Sequence, residues 1–72
     1  MPLTFADQGK PYIIRKVGGS AEIRAHLENL GFVCGAVISV VTANAGNLIV
    51  NVKNSRVAIS KEMASKIMAE TA

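Results

Sequence analysis

The stretch Leu27-Glu28-Asn29-Leu30-Gly31-Phe32-Val33-Cys34-Gly35-Ala36-Val37-Ile38 restricts the fold more than any other part of the chain. Leu27 and Leu30 are three apart and share one face of a helix. Gly31 stands where a left-handed helix-ending residue is wanted, a conformation that glycine takes without steric cost. Phe32 follows at once and can seal the core at the helix end. Gly35 then turns the chain into an apolar run, Ala36 onward, with Ile38 and Val40 two apart on one strand face. None of these residues does evident chemistry. They form a joint between a helix and a strand.

The rest of the chain reads as short strands around that joint. Leu3 and Phe5 alternate with small or polar residues, which suits an edge segment pinned to the core, and Asp7-Gln8-Gly9 is a turn. Pro11 to Val17 is the first strand, with Tyr12, Ile14 and Lys16 on one face and Ile13, Arg15 and Val17 on the other; Pro11 is tolerated at a strand's first residue. Gly18-Gly19 breaks it. Ser20 is an N-cap, and Glu22 lies in the first turn of a helix, where the dipole favours an acid. Ile23, Leu27 and Leu30 set the apolar stripe of that helix, about Ala21 to Leu30. Ala36 to Ala43 is the second strand. Ala43 to Asn47 is a hairpin loop, read as one in which Asn and Gly take positive φ. Leu48 to Lys53 is the third strand, with Leu48, Val50 and Val52 inward and Asn51 outward. Asn54-Ser55 is a tight turn, and Arg56 to Ile59 is the fourth strand, with Val57 and Ile59 inward. Ser60 caps a helical turn over Lys61 to Met63; Ala64 and Ile67 continue the apolar pattern into a short fifth strand, Ile67 to Ala69. Glu70 to Ala72 is expected to fray.

These elements predict a mainly β domain over residues 1–72: a small, partly open barrel of about five strands. One helix (about 21–30) separates strands 1 and 2, and a helical turn lies near the C-terminus. A barrel limits exposed sheet edges, a hazard in a chain rich in valine and isoleucine. Half of the 72 residues are apolar, ample for a globular fold. A chain this short buries only about 60% of its unfolded surface, so the core is thin. The single cysteine, Cys34, rules out an internal disulfide, which suits a reducing cytoplasm. No secretory leader is visible and no apolar run reaches the length of a membrane span, so direct membrane insertion is not expected.

Eight basic and five acidic side chains give a net charge of +3, spread along the chain. That charge keeps a small domain soluble, and its sharper use is an acidic partner surface or nucleic acid. Arg15, Lys16, Lys53 and Arg56 give a modest basic surface, but three aromatics, one of them the core Phe32, make a poor stacking platform, which argues against nucleic acid. Glu22 and His26 are four apart on the helix and read as a surface pair; with Cys34 they are the weak candidates for a metal. A structural zinc site needs about four ligands at set spacings, and the chain has one His and one Cys. Cys34 lacks an oriented base and reads as a partly buried turn residue rather than a nucleophile. Gly18-Gly19 precedes a helix but belongs to no nucleotide-binding pattern. No catalytic residue and no cofactor are expected.

The pattern as a whole resembles the FeoA family, the small cytosolic component of bacterial ferrous iron uptake. The resemblance rests on Leu3 and Gly9 in the leader, on Leu27-x-x-Leu30-Gly31-Phe32-x-x-Gly35 followed by Ile38-x-Val40, and on Ala64-x-x-Ile67. It covers nearly the whole chain. It implies an SH3-like barrel and a non-enzymatic role, binding and regulating the FeoB-type membrane transporter through its cytosolic GTP-binding part. Related domains close DtxR-type metal-dependent repressors, so the alternative is a stand-alone regulatory domain of metal response, with a weak nucleic-acid-binding barrel as the third reading. Three positions depart from the family. Cys34 stands where proline is usual before the second glycine, His26 where a basic residue usually precedes Leu27, and Ala43–Asn47 is shorter than the usual loop. A partner surface is expected at Arg24, His26 and Glu28, at Asn44, Gly46 and Asn47, and at Lys53 and Arg56. These positions follow from surface pattern, not from family motifs. An open strand edge would also allow a homo-oligomer.

Overall fold

The computed structural model describes residues 1–72. After a 3-10 turn at Leu3–Phe5 come β1 (Pro11–Val17), α1 (Ala21–Asn29), β2 (Val37–Ala43), β3 (Asn47–Val52), β4 (Ser55–Ser60), α2 (Lys61–Ala64) and β5 (Ile67–Thr71). The five strands form one antiparallel sheet in the order β4-β3-β2-β1-β5. β4 and β5 do not pair, so the sheet curls but stays open. The order follows from the loops: three-residue and two-residue links join β2 to β3 and β3 to β4 as hairpins. The mainly β, partly open barrel with one helix between the first two strands is the fold expected from the sequence.

The register sets the core. Tyr12 lies opposite Ile38 and Ile38 opposite Val52, all buried; Val40 lies opposite Val50 and Val50 opposite Val57. Ile14 lies opposite Ala69. Leu3, Leu27, Phe32, Ala64 and Ile67 cover this inner face and are fully buried. Burying a side chain of the leucine or phenylalanine class contributes about 1.5–3 kcal/mol. The phenol of Tyr12 is buried but not orphaned, because its hydroxyl oxygen accepts the Asp7 backbone N–H at 2.9 Å.

The joint closes α1 with two reversed hydrogen bonds. Phe32 N–H donates to Leu27 C=O and Gly31 N–H to Glu28 C=O, both at 3.0 Å, with Gly31 at φ 105°. This is a Schellman cap, in which the residue after the left-handed position packs on the helix residue it bonds. Here that contact is Phe32 on Leu27, both sealed from solvent. Gly35, at φ 90°, donates its N–H to Ile14 C=O at 2.7 Å and brings the chain alongside β1. Ser20 and Ser60 cap the two helices, accepting from Ile23 N–H at 3.2 Å and Met63 N–H at 3.1 Å.

Several local expectations change. Leu3–Phe5 is a 3-10 turn, not an extended edge, so Leu3 is buried while Phe5 is 72% exposed. A register shift between Ile14 and Lys16 turns Val17 to the core face and leaves Lys16 exposed, breaking the simple alternation. The positive-φ turn lies not at Asn44–Asn47 but at Lys53 (φ 50°) and Asn54 (φ 64°). A two-residue hairpin loop with both residues left-handed is a type I′ turn, whose twist matches the strands. Lys53 therefore leaves β3 for the turn, and Ser55 joins β4. β5 runs on to Thr71 rather than fraying, because Glu70 and Thr71 pair with Ile13 and Tyr12 and Ala72 N–H donates to Pro11 C=O at 3.2 Å.

Candidate functional site

Strand alternation and register together build a surface on the outer face of the sheet. Ile38, Val50 and Val52 point inward, so Val37, Ser39 and Asn51 point outward. Pro11 lies opposite Ser39, Ser39 opposite Asn51, and Asn51 opposite Arg56. Four strands thus present one row, Pro11–Ser39–Asn51–Arg56. Val37 lies two residues along β2, opposite Ile13. The type I′ turn adds Lys53 and Asn54 at one end. These residues, with Ala36 and Ile38, line a groove of about 720 Å³.

The groove is cationic and its polar groups are unengaged. Lys53 and Arg56 line it, and none of the five acids of the chain does. Of the six other cations two are paired, Lys10 with Asp7 at 3.6 Å and Arg15 with Glu70 at 2.9 Å, while Lys16, Arg24, Lys61 and Lys66, like Lys53 and Arg56, have no acid partner. The side chains of Ser39, Asn51, Lys53, Asn54 and Arg56 enter no hydrogen bond or ion pair within the chain. Val37, 56% exposed, supplies an apolar patch beside Pro11. The joint positions the cationic turn: a Cβ added at Gly31 would lie 3.5 Å from Lys53 Cδ and 3.6 Å from Val52 Cγ2, so the turn rests on the end of α1.

Of the residues expected from sequence, Lys53 and Arg56 share this groove. Asn44, Gly46 and Asn47 lie at the other end of β3, exposed. That tip is held by its own backbone, with Asn44 N–H on Asn47 C=O at 2.8 Å and Lys61 N–H on Gly46 C=O at 3.1 Å. Arg24, His26 and Glu28 are exposed on α1. Glu22 and His26 line a second, smaller depression of about 440 Å³ with Ile23 and Met63. They form no ion pair, since both are exposed and hydrated and a helix-surface attraction of a few tenths of a kcal/mol does not hold them together. Cys34 is exposed rather than partly buried, and its Sγ–H donates to Arg15 C=O at 3.3 Å. No three His, Cys, Asp or Glu side chains gather in one place. Pro11, Val37, Ser39 and Asn51 were not expected in the site. The signal that finds them is the cross-strand register, read outward from the cationic turn.

Comparison with known proteins agrees with the fold. The model of the FeoA domain family matches residues 1–71. The chain belongs to the FeoA domain family. A protein of Methanocaldococcus jannaschii, named by inference Fe(2+) transport protein A, is 32% identical to this FeoA domain over 71 residues, spanning 99% of this chain and 87% of the relative. The crystal structure of an iron uptake regulatory protein, FeoA, superposes on this FeoA domain with a TM-score of 0.92 at 27% identity, covering 100% of this chain and 97% of the other. Zinc-complexed Stenotrophomonas maltophilia FeoA, described as an SH3 domain protein, shares the fold with a TM-score of 0.84 at 22% identity, covering 97% and 89% of the two chains. The architecture of this FeoA domain is therefore SH3-like, and its family takes part in ferrous iron transport.

Proposed function

We propose that this chain is a small accessory protein of ferrous iron transport, that it acts in the cytoplasm by binding rather than by catalysis, and that it regulates an FeoB-type GTP-binding transporter through that protein's cytosolic part. The carrying observation is the groove: two unpaired cations and three unpaired neutral polar side chains beside an exposed apolar patch. A guanidinium, an ammonium, two amides and a hydroxyl hold a partner and include no general base. The family match along residues 1–71 supplies the transport context. Cationic side chains at the rim of a binding surface speed encounter with an acidic partner more than they add affinity.

The test is calorimetric titration of the cytosolic domain of an FeoB-type transporter into this chain, with and without guanine nucleotide. Binding is expected at low salt in at least one nucleotide state, and Lys53→Glu with Arg56→Glu is expected to weaken it. No heat in either state at low salt overturns the partner assignment.

A further inference from the structure

We infer that the outer-face groove takes an extended acidic peptide segment, its carboxylates on Lys53 and Arg56 and an apolar side chain on Val37 and Pro11. The inference rests on the reading of this chain as a binding module and names the chemistry that the module recognises.

Size comes first. The row Pro11–Ser39–Asn51–Arg56 crosses four strands. Three inter-strand spacings of ~4.8 Å make roughly 14 Å, the length of four or five residues of extended chain at ~3.3 Å each. The chemistry along that row narrows the occupant. At one end, Lys53 and Arg56 carry positive charge with no acid lining the groove. A guanidinium fork matches a carboxylate bidentately, and an ammonium adds a point charge. At the other end, Val37 and Pro11 are exposed and apolar. Between them stand Asn51 and Ser39, half-buried and without a side-chain partner.

An amide and a hydroxyl each offer both a donor and an acceptor. An extended backbone needs both, because its N–H and C=O groups are free. A helix has already used its own, so an acidic helix would leave Asn51 unmatched. A single nucleic-acid strand presents phosphates, which accept only, and bases, which want an aromatic platform. The groove contains no aromatic residue. The backbone of Lys53 and Asn54 is also set before any partner arrives, since both sit in the φ > 0 turn and the Lys53 stem lies against Gly31. Pre-ordering of the contacting groups lowers the entropy lost on binding.

The experiment is fluorescence anisotropy with a labelled peptide Glu-Leu-Glu-Glu-Leu-Glu, its Gln-Leu-Gln-Gln-Leu-Gln counterpart and a labelled eight-nucleotide oligothymidine. The acidic peptide is expected to bind about tenfold or more tighter than the glutamine peptide at low salt, and to lose that margin as the Debye length falls from ~10 Å at 0.1 M to ~3 Å at 1 M. Lys53→Gln with Arg56→Gln is expected to cost about tenfold, as two exposed charge contacts do. Val37→Ser is expected to weaken both peptides by a similar factor. Overlay of backbone amide spectra confirms that each variant is folded. Equal binding of the two peptides, or affinity unmoved in the double variant, overturns the inference. Tighter binding of oligothymidine than of the acidic peptide overturns it in favour of a nucleic-acid surface. The two proposals fail separately. A transporter domain that does not bind, beside an acidic peptide that does, removes only the partner. A transporter domain that binds regardless of Lys53, Arg56 and Val37 removes only the groove.

Discussion

Replacing Gly31, Gly35 and Gly46 by alanine, one at a time, separates the backbone role of the joint from its packing. Gly31 and Gly35 sit at φ 105° and 90°, beyond the left-handed helical well near +57°. An L-residue held there costs about 1–2 kcal/mol. At Gly31 the new methyl would meet Lys53 and Val52 at 3.5–3.7 Å, ordinary contact distances, so the cost is conformational rather than a clash. At Gly35 nothing lies within 4 Å, so the backbone term stands alone. Gly46 also faces open space, and its φ is not positive. There alanine removes freedom from the unfolded chain and is expected to stabilise by about 0.4–1 kcal/mol. A chain of this length has a total stability of about 4–11 kcal/mol, and 1 kcal/mol moves Tm by about 4–8 °C. Differential scanning calorimetry should show Gly31→Ala and Gly35→Ala both melting about 4–16 °C below the parent, and Gly46→Ala at or above it. Equal melting of all three variants would refute the claim that positive φ at the joint, rather than glycine content, is what the fold requires.

Three further outcomes follow from the same structure. Ser20→Ala and Ser60→Ala each remove one helix N-cap and are expected to cost about 0.5–2 kcal/mol in urea unfolding, with little change in m-value. Tyr12→Phe keeps the ring but leaves the Asp7 N–H without its acceptor; the expected loss is about 1 kcal/mol, together with faster amide exchange at Asp7. Lys53→Asn combined with Asn54→Gly installs the preferred pair for a type I′ turn and should raise Tm by a few degrees while weakening the binding of acidic ligands. A variant that gains stability and keeps full affinity would show that Lys53 is a turn residue and nothing more.

Much of this fold was legible in the order of residues. Leu27, Leu30, Gly31 and Phe32 give a helix stop from chemistry alone, because a left-handed glycine followed by an aromatic has few other uses. Tyr12, Ile14, Ile38, Val40, Val50 and Val52 declare their faces by alternation. The alternation fails at Val17, where a bulge reverses the face, and bulges leave little mark on a sequence. The turn expected at Asn54-Ser55 lies one residue earlier, at Lys53-Asn54, because lysine does not advertise positive φ; hairpin geometry forces it there once Val52 pairs with Ser55. The 3-10 turn at Leu3–Phe5 was hidden because a spacing of two fits both a strand edge and a tight turn. For the site, the two cations were visible and their neighbours were not. Ser39, Asn51 and Pro11 become one surface only through pairing across strands distant in sequence, and short-range pattern carries no information about that.

The most direct test maps the partner onto the chain. Isotope-labelled protein is titrated with the cytosolic domain of an FeoB-type transporter, and backbone amide shifts are followed. Shifts are expected to centre on Val37, Ser39, Asn51, Lys53, Asn54 and Arg56, and to be weakened by salt and by Lys53→Glu with Arg56→Glu. Shifts confined to Asn44–Asn47 or to α1, with the groove silent, would contradict it.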